Sequence, residues 1–147
     1  GTRMKATFLS RVVASDYSSL IKENSPEIMN QMEIASTTYN TYIEGMRLVI
    51  AGNEGTARNH FGGPKDLDTF PVVVCGKTGT AQHSSGGSDH GAFICFAPMD
   101  DPEVAVAVYG EKAAHGSTLA AVAEDILRAY FAMESASEVT AFENQAA

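Results

Sequence analysis

Gly76-Lys77-Thr78-Gly79-Thr80 places a cation and two hydroxyls on a backbone with almost no bulk around them. Lys77 supplies a positive charge for a carboxylate or for proton transfer, and Thr78 and Thr80 supply donors for the same carboxylate. Gly76 and Gly79 allow another chain to come close to the backbone. The run before it, Pro71-Val72-Val73-Val74-Cys75, reads as a buried strand continuing through the motif toward Gln82. On an edge strand, exposed N–H groups pair with an extended peptide or hold a developing oxyanion.

A phosphate-binding loop competes for the same five residues. It needs Gly-x-x-x-x-Gly-Lys-Thr opening a helix. Pro71 stands where the first glycine is required, and Gly79-Thr80-Ala81-Gln82 leads into polar loop. A nucleotide-binding domain is therefore the lesser alternative. His83, Asp89, His90 and His115 match no metal-ligand spacing, so no metal or other cofactor is expected. A solvated loop is expected for His83 and a structural hydrogen bond for His90. Cys75 and Cys95 are too few for a disulfide framework or a thiolate zinc site, and read as small core residues on neighbouring strands, with a bridge between them as the lesser alternative. Glu124-Asp125 reads as a solvated helix face, Asp66 and Asp68 as loop charges, and Tyr39, Tyr42 and Met46 as core.

The elements that must position the motif follow from patterning. At 147 residues and 44% apolar content the chain is one domain's worth of ordered protein. No stretch reaches the roughly 18 apolar residues of a membrane span. The net charge of −8, with no basic cluster, argues against nucleic acid. Gly1-Thr2-Arg3 leads straight toward a strand with no leader-like pattern, as though the chain starts mid-domain. Residues 4–14 read as a strand, Ser15–Ser18 as a turn without glycine, and Ser19–Lys22 as the return strand. Residues 37–51 read as a helix stopped by Gly52, with Ser36, Thr37 or Thr38 as cap, and 52–70 as loop. His90–Ala97 and Glu103–Tyr109 complete a three-stranded antiparallel meander with the motif strand. A second helix over 118–131, capped by Ser117, would bury Leu119, Val122, Ala123, Ile126, Leu127 and Tyr130. A polar tail, frayed or loosely docked, follows from Ala132.

Several segments, in order, resemble the C-terminal part of the transpeptidase domain of class B penicillin-binding proteins. Val74-Cys75-Gly76-Lys77-Thr78-Gly79-Thr80-Ala81-Gln82 is similar to that family's Lys-Thr-Gly strand. Ile43-Glu44-Gly45-Met46-Arg47 resembles its Glu-Gly-Met helix, and Gly55-Thr56-Ala57 its Gly-Thr-Ala loop. Gly1-Thr2 resembles the end of its Asn-Gly-Gly segment. His90–Phe93 with Phe96-Ala97-Pro98, and then Asp101–Ala105, resemble its next two strands. His115-Gly116 and the alanine-rich helix after it resemble its last helix. The resemblance covers residues 1–131, leaving 132–147 as tail.

The resemblance implies part of a β-lactamase/transpeptidase-like α/β fold: three antiparallel strands, a C-terminal helix on one face, and a piece of the helical subdomain. It implies a serine acyl transfer that cross-links D-Ala-D-Ala stem peptides of peptidoglycan, with β-lactams as mimics of the donor. Lys77 would serve as electrostatic and proton-relay group. Thr78, Gly79 and Thr80 would bind substrate, and the Thr80 N–H would be one oxyanion donor. It places the parent on the extracytoplasmic face of the bacterial membrane. The family's Ser-x-Asn occurs nowhere in the chain. Ser19-Leu20-Ile21-Lys22 has the Ser-x-x-Lys spacing, but it falls on a hairpin only 58 positions before Lys77 and reads as a decoy. Two expectations follow: the chain alone does not react, or, alternatively, it is a non-catalytic module of the same fold. Without its upstream strands, Glu103–Tyr109 would be an unpaired edge inviting self-association.

Overall fold

The computed structural model describes residues 1–64, 70–82 and 87–145, with side chains as far as Ala132. Asp66, Asp68 and His83 lie outside the described residues. The chain divides into two compact units, Gly1–Tyr39 and Asn40–Ala147.

The first unit is a nested antiparallel ribbon. β1 (Thr2–Met4) pairs with β4 (Ile28–Gln31), and β2 (Arg11–Val13) with β3 (Leu20–Glu23). The strand expected over 4–14 is therefore interrupted. Thr7 forms a local hydroxyl bond with the Leu9 N–H (3.2 Å), and the Asn24 amide reaches Thr7 Oγ1 (2.7 Å) and the Leu9 carbonyl (2.9 Å). These side-chain bonds replace the ladder between the two paired segments. The glycine-free turn forms as expected. Asp16 Oδ1 accepts the Ser18 N–H (3.1 Å) and hydroxyl (2.7 Å), and Tyr17 takes the left-handed conformation at φ 58°. No side chain of this ribbon is buried.

In the second unit, α1 (Ser36–Ala51), whose first turn belongs to the preceding unit, buries Ile43, Met46 and Ile50. Tyr39 and Tyr42 point to solvent rather than into the core, 49% and 60% exposed. The helix ends where Gly52 was expected to end it, with the Gly52 N–H donating to the Leu48 carbonyl (3.0 Å).

β5 (Cys75–Ala81), β6 (His90–Ala97) and β7 (Val104–Gly110) form the expected antiparallel sheet in the order β5-β6-β7. β5 begins at Cys75, not Pro71. β6 stops at Ala97 before Pro98, so Val72 and Val73 have no ladder to join, and Val74 is buried in the core. Phe93, Cys95 and Ala97, with Val104, Val106 and Val108 beside them, share a core with Ala120, Ala123 and Leu127. On the opposite face Cys75 and Phe96 meet Ile43 and Met46.

A 3-10 turn (Gly116–Leu119) leads into α2 (Ala120–Gln145). Ser117 lies inside that turn and does not cap it. His115 is the N-cap residue, without a side-chain bond, and Thr118 Oγ1 donates to the His115 carbonyl (2.7 Å). The buried stripe of α2 is Ala120, Ala123 and Leu127, with Val122 and Ile126 turned outward at 46% and 45% exposure. Alanines at the contact let the helix sit close to the sheet, which rotates the larger residues away. The helix continues past Phe131, since no glycine or proline interrupts 132–145.

Candidate active site

Strand alternation sorts the Gly-Lys-Thr-Gly-Thr residues onto two sides. Thr78 lies opposite Phe93 and Thr80 opposite Gly91, while Lys77 lies opposite Ile94 and Gly79 opposite Ala92. Among the described residues β5 has a strand neighbour on one side only, β6. Lys77 and Thr80 are exposed; Thr78 and Gly79 are half-buried. The run is extended and in register through all seven residues of β5, so it is no phosphate-binding loop at the head of a helix.

Along the motif strand and the turn beside it, Gly76 and Gly116 are glycine for a steric reason. A Cβ on Gly76 would stand 2.8 Å from the ring of the fully buried Phe93. A Cβ on Gly116 would collide with the Ala92 and Gly79 carbonyl oxygens. The 3-10 turn therefore lies directly on the β5–β6 backbone beside the motif.

The outer side of Lys77 opens on a cleft of about 430 Å3 lined by Leu48, Val49, Glu54, Gly55 and Thr56, among others. Lys77 Nζ donates to the Thr78 carbonyl (2.5 Å). The loop after α1 is pinned by the Gly55 N–H to the Gly52 carbonyl (2.9 Å) and the Ala57 N–H to the Val49 carbonyl (2.9 Å). Gly55 and Ala57 are buried, while Thr56 between them is exposed and places its hydroxyl 2.8 Å from that of Thr78. The motif residues thus lie on two sides of one strand, and Thr56 meets Thr78 while also lining the cleft of Lys77. Its Gly-Thr-Ala segment is visible in the sequence, but nothing local there pairs it with a residue 22 positions later.

Further along the loop, His60 Nδ1 lies 3.3 Å from Glu124 Oε2, and Arg128 Nη2 donates to Glu124 Oε1 (2.7 Å) while stacking over Phe70 at 4.8 Å. Glu124 is therefore no solvated charge; its side chain is 18% exposed. Burial pushes its carboxyl upward, but bonds from Arg128, the Phe61 N–H and His60 outweigh that and hold it below the usual value. Only Asp125 keeps the expected exposed position.

The two cysteines lie on neighbouring strands as expected. They are one register position apart, Cys75 opposite Phe96 and Cys95 opposite Gly76, so they face opposite sides of the sheet. Both are free and buried, and burial pushes each thiol up to about 11. His90 Nδ1 accepts the Lys112 N–H (3.2 Å), a structural bond. Ser19 lies just before β3, its carbonyl accepting the Ala14 N–H (2.9 Å), and heads no helix.

The chain is 39% identical over 67 residues to the peptidoglycan D,D-transpeptidase MrdA of Acinetobacter baumannii, covering 36% of this chain and 10% of that protein. It superposes on Pseudomonas aeruginosa PBP2, solved in complex with WCK 5153, with a TM-score of 0.58 and 30% identity, over 78% of this chain and 24% of the other. A ceftriaxone acyl-enzyme complex of penicillin-binding protein A from Mycobacterium tuberculosis gives 0.55 and 26%, over 82% and 26%. The chain thus spans a tenth of the curated relative's length and about a quarter of these solved chains. The model of the penicillin-binding protein transpeptidase domain matches residues 1–129, nearly the whole length over which the ordered motifs run. On that match, which spans most of the chain, the chain belongs to the penicillin-binding protein transpeptidase family.

Proposed function

We propose that this chain is the C-terminal part of a serine D,D-transpeptidase domain that cross-links peptidoglycan stem peptides outside the cytoplasmic membrane and is acylated by β-lactams. The carrying observation is the Gly-Lys-Thr-Gly-Thr run, held extended on an outer strand with Lys77 and Thr80 exposed. A D-Ala-D-Ala terminus laid along β5 meets the Lys77 ammonium, the Thr78 and Thr80 hydroxyls and the bare backbone at Gly79. Lys77 serves the proton relay and the field around the substrate carboxylate; Thr78 and Thr80 bind that carboxylate. The Thr80 N–H is one donor to the oxyanion formed when a serine attacks the penultimate D-Ala carbonyl.

We place that serine outside this chain, since Ser19 lies just before a ribbon strand and no Ser-x-Asn is present. The boundary at residue 131 belongs to the same proposal. So does self-association of the chain when separated from its parent. β7 has a strand neighbour on one side only among the described residues, and Ile94 and Tyr109 on the adjoining face are 48% and 64% exposed.

Fluorescent penicillin tests the proposal. The 147-residue chain should take no covalent label, and the intact transpeptidase should be labelled. In the intact enzyme Lys77→Ala should slow acylation by about 10–100-fold, given the worth of hydrogen bonds to charged groups. An unchanged second-order acylation rate places the active site elsewhere.

A further inference from the structure

The hydroxyl pair Thr56–Thr78 has a use that the roles above leave out. Thr56 projects from a loop locked on both sides. Gly55 is packed so tightly on the Val49 and Leu48 carbonyls that no Cβ fits, and Ala57 is 1% exposed in the core. Thr56 contributes nothing to that core; its hydroxyl instead meets the Thr78 hydroxyl at 2.8 Å. Either oxygen can donate when the site is empty. An ionised carboxylate only accepts, so once one binds, Thr78 must turn its O–H to the ligand. Its lone pairs then accept from Thr56. The result is a directed chain, Thr56 O–H to Thr78 O–H to carboxylate, in which each bond polarises the next.

We infer that Thr56 is a positioning residue: it orients the Thr78 hydroxyl toward the carboxylate of the substrate or β-lactam. This rests on the reading of Thr78 as a carboxylate ligand. The loop that follows α1 thereby takes part in recognition without touching the ligand.

The test uses the intact transpeptidase and its second-order acylation rate. Thr56→Val keeps the shape and removes the hydroxyl; it should slow acylation by a carboxylate-bearing β-lactam about 3–10-fold, the worth of one net hydrogen bond. Thr56→Ser should restore the rate. The methyl ester of the same β-lactam, which has no carboxylate, should react equally with wild type and Thr56→Val. In a Thr78→Val background Thr56→Val should add nothing, because the two act as one unit. A merely structural role is marked by a loss that is equal for acid and ester, or that Ser fails to restore, and either result overturns the inference. If Thr78→Val and Lys77→Ala slow acylation while Thr56→Val does not, this inference alone fails. If all three leave the rate unchanged, the reading of the site fails with it.

Discussion

The ribbon of residues 1–39 and the sheet of residues 75–110 both hold their backbone in antiparallel pairs, yet they keep their side chains in opposite circumstances. In the ribbon, Met4, Leu20, Ile28 and Met29 are all more than 40% exposed, and the pairing rests on ladder bonds, the Asn24 bridge and one exposed Lys5–Glu27 ion pair. In the sheet, Phe93 and Ala97 are fully buried against α2, and Cys75 is fully buried on the other face. Two-stranded pairing without a covering layer is marginal in water, whereas burial of one large apolar side chain contributes about 1.5–3 kcal/mol. The lesson is that ladder bonds do not measure rigidity. The motif strand is held where it is because its sheet is packed on both faces.

Truncation in the two regions gives the widest contrast. Leu127→Ala, at a fully buried contact between α2 and the sheet, should cost about 2–5 kcal/mol in urea unfolding followed by circular dichroism. A loss below about 1 kcal/mol would mean that the sheet is no better anchored than the ribbon.

Acid probes the same anchor electrostatically. The Glu124 carboxyl is held low in the folded chain, so its contribution is present above the unfolded value near 4.3 and is lost as pH falls through the lowered one. Glu124→Gln should therefore cost about 1 kcal/mol at neutral pH and nothing further in acid. The stabilities of wild type and variant should converge as pH drops below about 4. Parallel curves across that range would show that the bonds to Arg128 and His60 do not persist in solution.

The smallest effect belongs to the ribbon. Ile28→Ala, at a position 59% exposed, should change stability by no more than about 0.5 kcal/mol in the same urea experiment. A cost like that of Leu127→Ala would sharpen the comparison in reverse, because something would then cover the ribbon in solution.

What was legible in the sequence follows the range of each interaction. The Gly-Lys-Thr-Gly-Thr run, the turn around Asp16 and the meander through β6 and β7 depend on neighbours or short connections, and all could be read directly. The pairing of Thr2–Met4 with Ile28–Gln31 joins segments too short to show a period, so β4 could not be foreseen. Glu124 is four residues from Arg128, a helical spacing, but its His60 partner is 64 residues away, which is why it looked like a solvated charge. Thr56 belongs to the same class: the segment was recognisable, its partner was not. On α2 the apolar periodicity was correct, yet the stripe facing the sheet was set by alanine contacts that hydrophobicity alone ranks too low.

Gly76 also has a consequence for how the site is specified. Lys77 and Thr78 lie on opposite faces of β5, so sliding that strand by one residue along β6 would exchange the side of the cation with that of the hydroxyl. Backbone bonding alone would tolerate such a slip, because every peptide unit offers the same donor and acceptor. Phe93 does not tolerate it: a slip in either direction would bring Cys75 or Lys77, each with a Cβ, to the place over the ring where Gly76 now fits. One missing side chain thus acts as a reading-frame mark, converting a repetitive ladder into an address at which the cation and the hydroxyls each keep their own side.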